Sequence, residues 1–222
     1  SAADLDCLTV LRGDEDNFGR QLELIRELAK RYAGRLLMIT TVFNAWTTLR
    51  QLTAPPADKH GPPKLGGDAD PRDERMWQLL RESPQALAAA LDTIAASLAN
   101  FAGRCIDAGA DGIFLSVRDD WVDTPANGRG HYDRLVRPSD LKILAGAERA
   151  AFNLLHVCGQ AVDFGRFAEY PVHAVNWADR YAGPPLAEVA GTMRPAICGG
   201  LDNLGTMASG TPEDCQRQVA DA

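Results

Sequence analysis

Two metal-binding residue types stand two positions apart in the stretch NLLHVCGQ, which runs from Asn153 to Gln160. His156 and Cys158 follow an apolar run and precede a glycine, which predicts that they close a buried strand. Residues i and i+2 of a strand point to the same side, so both side chains would share one face. Imidazole and thiolate are zinc ligands. On spacing alone, a packed cysteine beside a histidine is the commoner arrangement.

A catalytic zinc ion needs three protein ligands and an open position. Cys198 ends a predicted strand two further along the chain, and we predict it as the third ligand. Two strand spacings are roughly 9–10 Å, a gap that two inward side chains could partly close. Asp179 is a candidate catalytic carboxylate that could also supply an oxygen ligand. A zinc ion here would hold an incoming thiol substrate as a thiolate nucleophile.

Other polar residues also follow predicted strands, where α/β proteins bind their ligands. Ser116 is a candidate catalytic residue. Arg118 and Arg180 could each clamp a carboxylate or phosphate, although a surface ion pair is an equally good interpretation. Asp119, Asp120 and Asp123 follow the second predicted strand. They could act as paired carboxylates, but a solvated loop is the commoner case. The predicted substrate-binding residues are Trp46, Arg118, Asn176, Arg180 and Asp202.

The elements that must position these residues alternate along the chain. Apolar residues at helical spacing predict a helix over 17–35, and an apolar β-branched run predicts a strand over 36–43. Residues 54–71 predict a long loop, and Ser83 followed by Pro84 predicts a helix start. The further predicted strands cover 112–117, 151–158, 172–177 and 194–201, and further helices cover 138–150, 162–170, 184–192 and a last segment from Thr211. Strict alternation predicts a parallel sheet, either open and doubly wound or part of a (β/α)8 barrel.

Composition limits the function classes. The net charge of −7 over 222 residues argues against binding to a nucleic acid backbone. No run of 18 apolar residues and no signal-peptide pattern occurs, so neither a membrane span nor membrane binding is expected. Five scattered cysteines form a poor disulfide framework. This usage fits a reducing compartment and predicts a cytoplasmic protein.

Several stretches together resemble the uroporphyrinogen decarboxylase superfamily. They are LLMITTVFNAWTTL, AGADGIFLSVRDDW, HYDRLVRPSDLKIL, LLHVCG, AVNWADRYAGPPLAEV and AICGGLDNLGTMASGTPEDCQRQV. The resemblance implies a (β/α)8 TIM barrel. It also implies that residues 1–222 form one barrel domain of about five βα units, with the N-terminal and C-terminal parts of the family domain missing.

The resemblance points to two enzyme branches. Cobalamin-dependent methyltransferases carry a His-x-Cys zinc site with a later Cys, and HVCG matches its first half at His156 and Cys158. Zinc would then activate a thiol, and a corrinoid, free or held by a corrinoid protein, would exchange the methyl group. Decarboxylases, which act in porphyrin and heme biosynthesis, use a serine where Ser116 stands. Their tyrosine position falls at Gln51, so that match fails.

A third reading is a non-catalytic domain that binds a tetrapyrrole and presents it to a partner. All three readings place a small-molecule tetrapyrrole or thiol at the barrel mouth. A homodimer is compatible with each of them.

Overall fold

The computed structural model describes residues 2–53, 70–160 and 162–221. Within these residues, one sheet of five parallel strands has the order β1-β2-β3-β4-β5. The strands are β1 (Ile39–Phe43), β2 (Gly112–Val117), β3 (Leu154–Val157), β4 (Ala174–Asn176) and β5 (Ala196–Cys198). The order of the strands in the sheet equals their order in the chain, so each connection leads to the adjacent strand and the sheet grows in one direction.

This order separates the two architectures that the alternating pattern left open. In an open doubly wound sheet, the order in which strands are added reverses at a switch point. The strand order in space therefore departs from the chain order. Consecutive parallel neighbours are instead the arrangement of a (β/α)8 barrel. The structure therefore confirms the predicted α/β class and is consistent with part of such a barrel.

Helices precede, separate and follow the strands along the chain. Two short non-α turns are also present, a π turn at Tyr132–Val136 and a 3-10 turn at Phe164–Phe167. The α-helices are α1 (Ala2–Leu5), α2 (Asp16–Tyr32), α3 (Ala45–Leu52), α4 (Pro71–Glu82), α5 (Pro84–Asp107), α6 (Arg137–Gly146), α7 (Leu186–Val189), α8 (Thr206–Ser209) and α9 (Pro212–Ala220).

The longest helix, α5, carries much of the core. The apolar stripe of this helix is buried from Leu87 to Cys105, and the helix packs against α3, α4 and α6. By length and composition, α5 is the one candidate for a membrane span in the described part of the chain. Because its apolar face packs on other elements of the fold, we interpret it as a core helix.

Several predicted elements differ from the structure. The sequence pattern predicts no element over 72–82, yet these residues form most of α4. Asp70 caps this helix by accepting the Arg72 N–H. Helix α3 follows β1 after one residue, so Trp46 lies in a helix and not at a strand end. The predicted helix over 162–170 is only a 3-10 turn, and the strands are shorter than predicted. Most of the predicted 54–71 loop lies outside the described residues.

The sheet has two unlike faces. Its buried side chains, such as Val42, Leu115 and Val157, lie on the face that the helices cover. Toward the carboxyl ends of the strands, the alternate residues on the opposite face, such as Phe43, Ser116 and His156, are half-buried or exposed. In a barrel this second face is the interior, and it carries Ser116, His156, Asn176 and Cys198.

Candidate functional site

One row of side chains crosses the sheet near the carboxyl ends of the strands. In the parallel register, Phe43 pairs with Ser116, Ser116 with His156, His156 with Asn176, and Asn176 with Cys198. Residues paired in register point to the same face of a sheet. Ser116, His156 and Asn176 are half-buried, and Cys198 is exposed. The fold therefore places four predicted site residues side by side.

The centre of this row is hydrogen-bonded. His156 Nδ1 lies 2.7 Å from Asn176 Oδ1. Asn176 Nδ2 donates to the carbonyl oxygen of Cys198 at 2.8 Å. One carboxamide therefore connects β3 to β5 across β4.

His156 is also packed from the side. Its ring stacks on Phe114, which lies on the same face of β2, with ring centroids 5.2 Å apart. Burial lowers the pKa of His156, although the hydrogen bond with Asn176 opposes this effect. The lowered pKa favours the neutral imidazole, which is the form that a metal ligand or a general base needs.

Cys158 continues the β3 ladder by donating its N–H to Val117 O at 2.8 Å. Cys198 is exposed at the end of β5, the far side of the Asn176 carboxamide from His156. Among the described residues, no group of three His, Cys, Asp or Glu side chains is placed to hold a metal ion. Cys198 is thus not assembled with His156 and Cys158, because β4 and its asparagine occupy the interval between them. Zinc binding stays a prediction.

The two predicted anion-binding arginines already contact internal acceptors. Arg118 Nε donates to Asp120 Oδ1 at 2.5 Å, and its guanidinium lies over the Trp121 ring. Arg180 Nε donates to Gly200 O at 3.1 Å. A substrate carboxylate would have to displace these partners, and the loss of those hydrogen bonds would weaken the substrate binding predicted for the two arginines.

Asp179 and Asp202 hold loops. Asp179 is 8% exposed, and its Oδ1 accepts the Gly200 N–H at 2.8 Å. A Cβ added at Gly199 would lie 2.8 Å from the same Asp179 oxygen, so the carboxylate packs tightly under the turn after β5. Asp202 Oδ1 accepts the N–H groups of Leu204 and Gly205. These contacts support loop geometry, and the predicted catalytic and substrate-binding roles stay predictions.

Trp46 is 1% exposed and lies within the core beside α5. Direct contact with a substrate would require this side chain to leave the core. Its indole Nε1 is buried without a hydrogen-bond partner among the described residues. The substrate-binding role predicted for Trp46 therefore has no support in its position.

Two buried charge clusters were not predicted. Arg166, in the 3-10 turn, lies among Asp119, Asp123, Asp133 and Asp163. Asp140 accepts hydrogen bonds from residues of three other segments, which are Asn44, Tyr132 and Tyr170. The run of acids after β2 was visible in the sequence, but the single arginine 43 residues after Asp123 gave no local signal.

The comparisons with known proteins give one family. The model of the family described as Uroporphyrinogen decarboxylase (URO-D) matches residues 1–222. A comparison with curated proteins gave no match.

Proposed function

The chain belongs to the uroporphyrinogen decarboxylase family, and within this family of enzymes we propose that it takes part in methyl transfer between a corrinoid and a thiol, with His156 and Cys158 as zinc ligands. The observation that carries the proposal is the state of His156. Its ring is held by Asn176 at 2.7 Å and its pKa is lowered by burial, and the Cys158 thiol follows two residues later, directly after β3.

His156 and Cys158 would supply two of the three protein ligands that a catalytic zinc ion needs. Nδ1 of His156 already contacts Asn176 Oδ1 at 2.7 Å, which leaves Nε2 as the ring nitrogen for a metal ion. A metal-binding histidine usually donates its other ring N–H in this way. Bound zinc would lower the pKa of a thiol substrate and hold it as a thiolate. Among the described residues, no third His, Cys, Asp or Glu side chain is grouped with them.

The protein's own residues supply the setting for this chemistry. Phe114 covers one side of the imidazole and excludes water from it. Ser116 stands next to His156 in the register row, within reach of a group bound at the mouth. A corrinoid, free or on a partner protein, would present its methyl group from the open face of the sheet.

Zinc content of the purified wild type and four variants tests the proposal. We expect about one zinc per chain in the wild type, and its loss in His156→Ala and Cys158→Ser, because each removes a ligand. Cys7→Ser and His131→Ala are matched controls, since these residues lie outside the row, and both should keep the metal. A metal-free wild type with reduced thiols would contradict the proposal.

Uroporphyrinogen decarboxylation is the second candidate, and the position of Ser116 in the row beside His156 supports it. The engaged states of Arg118 and Arg180 weigh against it. Turnover of uroporphyrinogen to coproporphyrinogen that survives Cys158→Ser but not Ser116→Ala would favour the decarboxylase. Tetrapyrrole binding without any turnover would favour a binding domain.

A further inference from the structure

We propose that Asn176 is a positioning residue that fixes His156 in one tautomer, with the proton on Nδ1 and the lone pair on Nε2. This inference deepens the proposed function and rests on it for the identity of the metal. The tautomer itself can be measured without any metal.

The orientation of the Asn176 carboxamide follows from its second partner. Cys198 O is a backbone carbonyl and can only accept, so the atom 2.8 Å from it must be the amide nitrogen of Asn176. The amide oxygen then faces His156 Nδ1 at 2.7 Å. An amide oxygen cannot donate, and therefore Nδ1 of a neutral His156 must. The backbone of β5 thus sets the tautomer of a side chain on β3.

Rotation of the imidazole is also restricted. The ring stacks on Phe114 at an interplanar angle of 24° while Asn176 holds one edge. With the plane and one nitrogen fixed, the direction of the Nε2 lone pair is fixed as well. A ligand atom held in this way loses little conformational entropy when it binds a metal.

The same protein contains the opposite tautomer as an internal reference. His173 Nδ1 lies 2.9 Å from the backbone N–H of Asn153, which can only donate. A neutral His173 must therefore accept at Nδ1 and carry its proton on Nε2. The two histidines should give opposite nitrogen assignments in one spectrum.

Two-bond ¹H–¹⁵N correlation spectra of the metal-free protein at about pH 8 provide the first test. We expect His156 to show a protonated Nδ1 and His173 a protonated Nε2. A protonated Nε2 at His156 in the wild type would overturn the proposal without any variant, so the test does not depend on a mutant that folds.

Two variants separate the hydrogen bond from the bulk of the side chain. Asn176→Leu keeps the approximate volume but removes the acceptor, and we expect His156 to lose its preference for Nδ1–H while His173 is unchanged. Asn176→Asp keeps an acceptor and should keep the Nδ1–H tautomer. An unchanged His156 tautomer in Asn176→Leu would overturn the proposal.

Competition with a metal-binding dye then measures zinc affinity in the same proteins. Loss of the positioning partner should weaken binding by about 10- to 100-fold in Asn176→Leu, and less in Asn176→Asp. Equal affinity of Asn176→Leu and the wild type would overturn the link to the metal. If the wild type binds no zinc at all, the proposed function fails, while the tautomer result stands or falls independently.

Discussion

Arg166 is a buried cation that balances the negative charge of four neighbouring aspartates. Its guanidinium is 7% exposed and lies 2.8 Å from Asp123 Oδ2 and 3.5 Å from Asp119 Oδ2. Burial raises the pKa of Asp119 against the opposing effect of Arg166. Burial would also raise the pKa of Asp123, but the hydrogen bonds from Arg166 and from backbone N–H groups lower it overall. Asp133 and Asp163 are half-exposed, so solvent screens their share of the repulsion.

Removal of this arginine should therefore be severe. We expect Arg166→Leu to lower the free energy of unfolding by about 3–5 kcal/mol, because it leaves buried carboxylates uncompensated. Urea denaturation at pH 7 measures the loss.

Arg217→Leu is the matched control, because its ion pair with Asp214 is exposed and should contribute little. Similar losses in the two variants would show that Arg166 is not needed to neutralise the cluster. Asp119→Asn in the Arg166→Leu background should recover part of the stability, since it removes one of the unpaired charges.

At the scale of elements, the crossing of α5 and α6 depends on small residues. A Cβ added at Gly146 would lie 2.3 Å from Ala99 O, and one added at Gly103 would lie 3.2 Å from Gly146 O. The backbones of the two helices therefore approach more closely than side chains would allow. This contact holds α6, and with it the segment that leads into β3, against the core helix.

The two glycines predict a graded result. Gly146→Ala should lower the free energy of unfolding by about 1–3 kcal/mol, because backbone atoms must move to admit the methyl group. Gly103→Ala should cost less, since a shift of a few tenths of an ångström is enough and alanine favours a helix. Thermal or urea unfolding of both variants checks the order, and a more stable Gly146→Ala would refute the close approach.

At the scale of the whole molecule, Asp140 connects parts of the chain that are distant in sequence. Its carboxyl accepts from Asn44 Nδ2 at 3.1 Å, Tyr132 Oη at 2.6 Å and Tyr170 Oη at 3.1 Å. Asn44 also caps α3 by accepting the Thr47 N–H. Burial raises the pKa of Asp140 to about 7, although the three hydrogen bonds act in the opposite direction.

This buried acid predicts a pH dependence of stability. The folded protein holds the Asp140 proton more tightly than the unfolded chain, whose aspartate has a pKa of 3.8. The stabilisation from this group is therefore complete below pH 4 and is lost as the pH rises through about 7.

The Asp140→Asn variant isolates this effect. As the pH rises from 5 to 8, the free energy of unfolding of the wild type should fall relative to that of Asp140→Asn. Urea titrations across this range measure it, and the exposed Asp133→Asn variant controls for general charge effects. A difference that does not change with pH would contradict a raised pKa for Asp140.

The sequence alone determined the order of the main elements and the two-residue spacing of His156 and Cys158. Strand and helix periodicity are local properties, so β2, α2 and α5 were predicted close to their observed positions. The quoted stretches also identified the family, which the match over 1–222 confirms. Helix α4 was missed because its apolar residues lie together in the short run 76–80, which charged residues flank and which is too short to show a helical period.

Only the tertiary structure decided which residues meet. Strand order and register depend on the packing of the whole chain, and they placed Asn176 between His156 and Cys198. The same packing buried Trp46, engaged Arg118 and Arg180 with internal acceptors, and brought Arg166 among distant carboxylates. These contacts join residues that are far apart in the chain, and the energies that select them are properties of the folded core, which no local pattern contains.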